Sequence, residues 1–455
     1  MAQQNIEKWD PGYALLKPFV NLNFRGYFRK IYIQGKENIP RDVPVIFAPN
    51  HQNALMDALG VLYALPGQPV FLARSDIFKN PIIARILIFL KLLPIYRIRD
   101  GYGSLQRNDQ ILEKVGDVLK HKKSLVIFPE GNHSANRRLR PLKKGICRIA
   151  FQAEEKGAFN LGLQIVPVGL DYDNFYKFGH TLVVRFGKPI SVDPFKALYK
   201  QNPSRAYIAL KKEIAGRLRQ EMIHIDDKAH HDAINQLREI YRVRMKDHLN
   251  DSLTRRPAQL QADQKLIEVC QAQCAAHPEE ATRLARQVKR YLRILDRIRL
   301  RVWVFNRRHY AWGPLLSQIP LVVLLFPVFV YGLIHNALPF FLPVLPTRKV
   351  KDPQFWSSIK NGVALILFPL FYVLQTITVA VFTNGPWISL AYLISLPATG
   401  YLAYHYYVGW KKFKAKWRYN RLQKKQPFMM KQILDLRREI LFTVDRWWEQ
   451  QTNHA

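Results

Sequence analysis

"VPVIFAPNHQNALMDALGVLYAL" runs from Val43 to Leu65. Its first part, "VPVIFAP", is a short apolar run bounded by prolines and reads as a buried strand. Its last part, "ALMDALGVLYAL", starts a helix. Between them stand Asn50, His51, Gln52 and Asn53. Four further runs share the strand-like texture: "PVFLAR", "SLVIFPEG", "LQIVPVGLDY" and "TLVVRFGKPI", the last beginning at Thr181. Short apolar runs alternating with helical patterns predict an α/β domain, a sheet covered by helices, up to about Asp193. Ligands bind at the ends of such strands.

His51 falls at a strand end and Asp57 in the first turns of a helix. A contact across the bend would fix the imidazole tautomer and support the imidazolium formed when His51 takes a proton. This motif by itself favours a plainer reading, in which Asn50 or Asn53 caps the helix and His51 is a loop residue.

Three more blocks follow. "LPIYRIRDG" puts Arg97 and Arg99 two apart, on the same side of an extended chain. Such a pair suits bidentate contact with a phosphate, or a solvated edge. "FPEGNHS", Phe128 to Ser134, follows the strand "SLVI". Gly131 lets backbone approach a ligand, and Glu130 is placed to hold a substrate hydroxyl; the alternative is a polar turn between strand and helix. In "IVPVGLDY", Pro167 interrupts a strand-like run and predicts an edge or a bend.

In chain order these blocks resemble the glycerophospholipid acyltransferases. That family has an N-H-x4-D motif, an Arg-bearing block, an F-P-E-G block and a V-P-hydrophobic block. The resemblance covers about Ile31 to Pro189 and includes "GKENIP" and "RPLKKGICRIA". Here His51 and Asp57 are separated by five residues. That spacing, with "PIYRIRD", resembles the membrane glycerol-3-phosphate and dihydroxyacetone-phosphate acyltransferases typified in fungi. In the third block, His133 stands where the family often has Arg. The resemblance implies that His51 is the general base, oriented by Asp57. Arg97, Arg99, Glu130, Gly131, Asn132, His133, Ser134, Lys143 and Pro167 fall in or beside the blocks that would hold the acceptor and its phosphate. Backbone N–H groups near His51 or Gly131 would receive the oxyanion. Acyl-CoA or acyl carrier protein would be the co-substrate, with no other cofactor. A metal site at His51, Asp57, Glu130 and His133 is disfavoured, because no His-rich partner motif accompanies them.

The rest of the chain is different. From Asn361 to Trp410 there is no Asp, Glu, Lys or Arg, and "NGP" at Asn384 divides the stretch into two runs. Each is about the ~20 residues a helix needs to span hydrocarbon, so a transmembrane hairpin is expected over 361–410. A second uncharged run, Ala311 to Thr347, is broken by His335, Asn336 and Pro339. Its flanks are basic: Arg283 to Arg308 holds ten Lys/Arg and a single acid, Asp296. Arg348, Lys349 and Lys351 follow it. Basic flanks favour the cytoplasmic side, so 311–347 is expected to enter and leave there as a re-entrant pair of short helices. The alternative is one long tilted span.

Four regions are therefore expected: an acyltransferase domain (1–200), a basic amphipathic helical region (201–310), the membrane region (311–410) and an interfacial helical tail (411–455). In the second, Leu284, Val288, Leu292, Leu295, Ile298, Val302 and Phe305 keep helical spacing with arginines on much of the other face. Such a helix suits a membrane surface. The tail includes Met429 to Trp448, expected as a further interfacial helix.

With 69 Lys+Arg against 34 Asp+Glu, the net charge of +35 demands an anionic partner. Anionic lipid is favoured over nucleic acid, since the basic helix runs into an apolar segment. At 48% hydrophobic residues, disorder is excluded. Cys147, Cys270 and Cys274 read as free thiols. The opening "MAQQNIEKWDPGY" has no basic start followed by an apolar stretch, so no signal peptide is expected. Competing readings are remodelling of other lysophospholipids and non-catalytic binding of anionic lipid. The acceptor, the donor and the oligomeric state are not readable.

Overall fold

The computed structural model describes residues 6–96, 104–249 and 259–453. It divides into two units, one made of Met1–His224 with Thr347–Asn361, the other of Ile225–Pro346 with Gly362–Ala455.

The first unit holds one sheet: β1 (Lys30–Gln34), β2 (Val45–Pro49), β3 (Val70–Arg74), β4 (Leu92–Ile95), β5 (Ser124–Val126), β6 (Gln164–Tyr172), β7 (Thr181–Phe186) and β8 (Ile190–Ser191). Their order is β1-β7-β6-β2-β5-β3-β4, with β8 beside β6. Only the pairings of β6 with β7 and β8 are antiparallel. Among the described residues these helices accompany it: α1 (Pro11–Tyr27), α2 (Ala54–Ala64), α3 (Pro81–Phe89), α4 (Ser104–Lys120), α5 (Gly145–Lys156), α6 (Lys196–Gln201) and α7 (Pro203–Glu221).

Strand alternation divides the apolar runs between two cores. Ile46, Ala48, Leu125 and Ile165 pack with Val115, Ile149, Phe151 and Leu210 from α4, α5 and α7. Val45, Phe47, Val126 and Val166 pack with Phe24, Met56 and Val61 from α1 and α2. Burial on both faces is why these strands are continuously apolar rather than alternating.

Pro167 corrects an expectation. It lies inside β6, with β2 on one side and β7 and β8 on the other, and is neither at an edge nor at an open surface. β8 pairs as far as Ile165, and β7 begins at Val168. Pro167 falls in the gap, where its oxygen accepts from the Gly187 N–H at 2.9 Å. A strand residue turns its N–H and C=O to the same side, so the missing donor costs no ladder bond.

Helices α1 and α3 touch where Gly12 meets the Phe89 ring. Both leave large apolar side chains in the open, among them Leu15, Phe19 and Leu22 on α1 and Ile82, Ile83 and Ile86 on α3.

The second unit is helical, and it departs from expectation in two places. The basic helix ends at Arg297 instead of continuing to Phe305. Arg299 is left-handed (φ 52°) and the Leu300 N–H returns to the Leu295 oxygen. That six-to-one bond is a Schellman-type stop; Val302–Asn306 is a separate 3-10 turn. Within 311–347, Ile319–Phe341 is one unbroken helix of 23 residues with Pro327 and Pro339 inside it, where two short helices were expected. A proline in lipid-like surroundings need not break a helix whose neighbours supply partners. The final helix, Pro427–Asn453, buries Met430, Ile433, Val444, Trp447 and Trp448, and Trp447 Nε1 donates to Glu280 at 3.1 Å. One face of it packs inside the unit, while Phe428 and Phe442 stay exposed.

Two stretches, Trp312–Thr347 and Pro353–Thr383, are long and apolar enough to cross a membrane. Asn384 (φ 48°) and Gly385 turn the second of them into the 40-residue helix Pro386–Lys425. Gly332 lets that helix approach Ile319–Phe341: a Cβ there would stand 2.3 Å from the Thr399 oxygen. Polar side chains join the apolar helices. Asn336 Nδ2 donates to the Leu396 oxygen at 3.2 Å, and Tyr372 Oη donates to Asn336 Oδ1 at 2.7 Å. His335 Nδ1 meets Gln375 Oε1 at 3.0 Å and Tyr392 Oη at 2.9 Å. Elsewhere in this unit Asp227, His230 and Cys274 bring their ligand-type atoms within 4.8 Å of one another. His230 Nδ1 already lies 2.8 Å from Asp227 Oδ2.

Candidate functional site

The parallel strands β2 and β5 end on the same edge of the sheet, and the loops leaving them carry the site. Past Pro49 the chain bends through Asn50–Asn53 before α2 begins. Asn50 is fully buried and held to Leu170 of β6 twice: its Oδ1 accepts the Leu170 N–H at 2.6 Å, and its Nδ2 donates to the Leu170 oxygen at 3.2 Å. Neither asparagine caps α2 with its side chain. Asp57, 0% exposed in the first turn, reaches back instead. Its Oδ2 accepts the backbone N–H of Gln52 at 2.7 Å and of Asn53 at 2.6 Å, a capping-box-like reach.

The same oxygen lies 2.9 Å from His51 Nδ1. Oδ1 accepts the Tyr172 hydroxyl at 2.8 Å. A carboxylate so surrounded holds Nδ1 as the protonated nitrogen, leaving the lone pair on Nε2. The five intervening residues are accommodated by a left-handed Ala54, φ 44°. Phe128 lies over the His51 ring at 4.2 Å between centroids, and His133 stands against it at 5.4 Å, edge to face.

The loop after β5 braces this arrangement. Glu130, 3% exposed, accepts the His51 N–H at 2.7 Å and the Arg140 N–H at 3.0 Å. Burial pushes its carboxyl up to about 7, against the pull of those two N–H groups. It ties two loops together. Gly131 is left-handed (φ 68°) and borders the Lys143 stem. Asn132 is exposed and accepts the His133 N–H at 3.1 Å. The Ser134 N–H donates to the His51 oxygen at 3.1 Å. The exposed Lys143 is fixed by its N–H on the Pro129 oxygen at 2.8 Å. Among the N–H groups near His51 and Gly131, that of His51 donates to Glu130 and that of Gly131 to the Phe128 oxygen at 3.1 Å. Arg97 and Arg99 lie outside the described residues.

Several contributors were not anticipated. Tyr172, at the end of β6, is the fourth donor to Asp57 and is fully buried. Arg137, 6% exposed, pairs with Asp171, donates to the Tyr172 oxygen and lies over the Phe175 ring. Arg74 at the end of β3 adds a positive charge that, after burial and His51, helps keep His133 below the usual histidine range. The fourth contributor comes from far along the chain. Phe355 stands against His133 at 4.7 Å, edge to face, and Asp352 Oδ2 lies 3.9 Å from His133 Nε2. The Ser357 hydroxyl donates to Asn53 Oδ1 at 2.6 Å. Only "GLDY" carried a signal for Tyr172, as a polar end on an apolar strand. For 347–361 the sequence holds no signal beyond a charged gap between apolar runs.

A family model described as Acyltransferase matches residues 30–171. The chloroplastic 1-acyl-sn-glycerol-3-phosphate acyltransferase BAT2 of Brassica napus is 31% identical over 144 residues, 31% of this chain and 38% of that protein. Glycerol-3-phosphate O-acyltransferase 2 of Saccharomyces cerevisiae is 26% identical over 196 residues, 41% of this chain and 25% of that protein. The chain thus spans well under two thirds of these relatives. A crystal structure of the 1-acyl-sn-glycerophosphate acyltransferase PlsC from Thermotoga maritima overlays on 45% of this chain and 78% of that one, with TM-score 0.32 and 19% identity.

Proposed function

We propose, on the premise that residues 30–171 form an acyltransferase-family domain, that the chain transfers an acyl group from a thioester to a hydroxyl of a phosphorylated glycerol acceptor. The His51–Asp57 contact, which engages Nδ1 and leaves Nε2 to act as the base, carries this reading. His51 takes the proton of the acceptor hydroxyl as its oxygen attacks the thioester carbonyl carbon. The tetrahedral intermediate collapses, the C–S bond breaks, and the imidazolium returns the proton to the leaving sulfur. Ester and free thiol are the products. A positioned imidazole is worth ~10²–10⁴-fold in such a step, and Asp57 orients it and supports its charge. The five-residue spacing favours glycerol 3-phosphate over an acylated acceptor. Acyl-CoA and acyl carrier protein are both candidate donors.

The open apolar faces of α1 and α3 and the two long apolar helices support a seat on a membrane. The net charge of +35 supports anionic lipid as the surface. The basic flanks support several crossings with the catalytic domain in the cytoplasm.

The test is thiol release by the full chain from palmitoyl-CoA, with glycerol 3-phosphate or lysophosphatidate as acceptor. Wild type should release thiol in an acceptor-dependent way, and His51→Ala should not, while its far-UV circular dichroism is unchanged. Full activity in His51→Ala would overturn the assignment of the base. No release with either acceptor, from palmitoyl-CoA or palmitoyl carrier protein, would overturn acyl transfer.

A further inference from the structure

Thr347–Asn361 joins two apolar helices in sequence, yet it belongs to the first unit. It meets that unit at three separate points. Phe355 and Asp352 meet His133 of the loop after β5. Ser357, 0% exposed, bonds Asn53 of the His51 bend. Lys360 Nζ donates to the Tyr176 oxygen, in the connection between β6 and β7, at 3.2 Å. The order of the contacts is informative. Asp352 accepts the Gln354 N–H at 3.0 Å and so starts the turn Pro353–Phe355. That turn presents the Phe355 ring, still 37% exposed, to the edge of His133, which in turn stands against His51. Two of the three points therefore adjoin the base or the bend that carries it.

We propose that Thr347–Asn361 is the acceptor-side wall of the His51 site, with Asp352 and Phe355 as positioning residues that set the His133 ring and thereby where the acceptor's polar head lies. The proposal rests on the acyl-transfer reading. It accounts for a histidine at 133: a planar ring packs against both His51 and Phe355 with one nitrogen near Asp352, which a long flexible cation would not permit. Neither wall residue touches the thioester chemistry, so the acceptor's KM should move and the donor's should not.

The test compares wild type, Phe355→Ala, Asp352→Asn and the conservative Phe355→Tyr in the full chain, in detergent. Phe355→Ala and Asp352→Asn should raise the acceptor KM about tenfold, with the acyl-thioester KM and kcat within about threefold. Phe355→Tyr should restore the acceptor KM. Equal changes in both KM values, or in neither, would overturn the proposal. If Phe355→Ala does not fold, Phe355→Leu takes its place. Hydrogen exchange over 128–134 tests the docking without turnover: Phe355→Ala should speed it, and unchanged exchange would overturn the wall. Faster exchange in a chain that transfers no acyl group would remove the acyl-transfer reading and leave the docking standing.

Discussion

Asp57 accepts four hydrogen bonds; three of the donors, His51, Gln52 and Asn53, lie close to it in the chain, and Tyr172 does not. The Tyr172 hydroxyl is the donor that a single substitution removes cleanly. Tyr172→Phe should lower kcat severalfold and lower stability by about 1–2 kcal/mol, a buried acceptor having lost its partner; steady-state kinetics and denaturant unfolding measure both. Ala54 holds a left-handed backbone at φ 44°, which costs an L-residue of order 1–3 kcal/mol. Ala54→Gly should therefore be neutral or stabilising, and Ala54→Val destabilising by more than 1 kcal/mol on the same scale. The pairing of His51 with Asp57 was legible in the sequence, because four blocks in order outweighed a weak motif. How five residues fit between them was not, since nothing in "HQNALMD" marks Ala54 as the residue that turns. The brace that Glu130 makes was not legible either, since nothing in "FPEGNHS" marks the His51 and Arg140 N–H groups that its carboxylate accepts.

Among elements, strands were the more legible. Apolar runs covered on both faces announce themselves, and Pro167 misled only because its escape from the ladder depends on where β8 stops and β7 starts. Helices told less. A three- and four-residue period ran through Arg299 to Phe305 without a break, although the helix stops before it. The apolar helices hold a different lesson, in Gly332. A side chain there meets backbone at 2.3 Å, so Gly332→Leu should destabilise the packing against Pro386–Lys425 by about 1–3 kcal/mol. Leu324→Ala, on a side chain 73% exposed, should not. Thermal unfolding of the detergent-solubilised chain separates the two, and equal effects would mean that the helices do not pack through Gly332.

For the whole molecule, the buried Glu130 links stability to pH. Burial raises its carboxyl from 4.5 to about 7, so the folded chain keeps that proton to a higher pH than the unfolded chain does. Its contribution to stability is complete below pH 4.5 and is lost as the pH rises through about 7. Glu130→Gln should flatten the fall in melting temperature across that window, while lowering the melting temperature throughout for want of a second acceptor. A slope equal to that of wild type would show that Glu130 does not titrate there. The domain boundaries read from the sequence were contiguous by construction, and Thr347–Asn361 escapes any contiguous partition. Synthesis gives this discontinuity a temporal meaning. A ribosome completes residues 1–224 long before it reaches Phe355, and the apolar helix Ile319–Phe341 is made in between. The nascent amino-terminal part therefore lacks Thr347–Asn361 until that helix has been translated, so the His51 site is finished only after the segment long and apolar enough to enter a membrane exists.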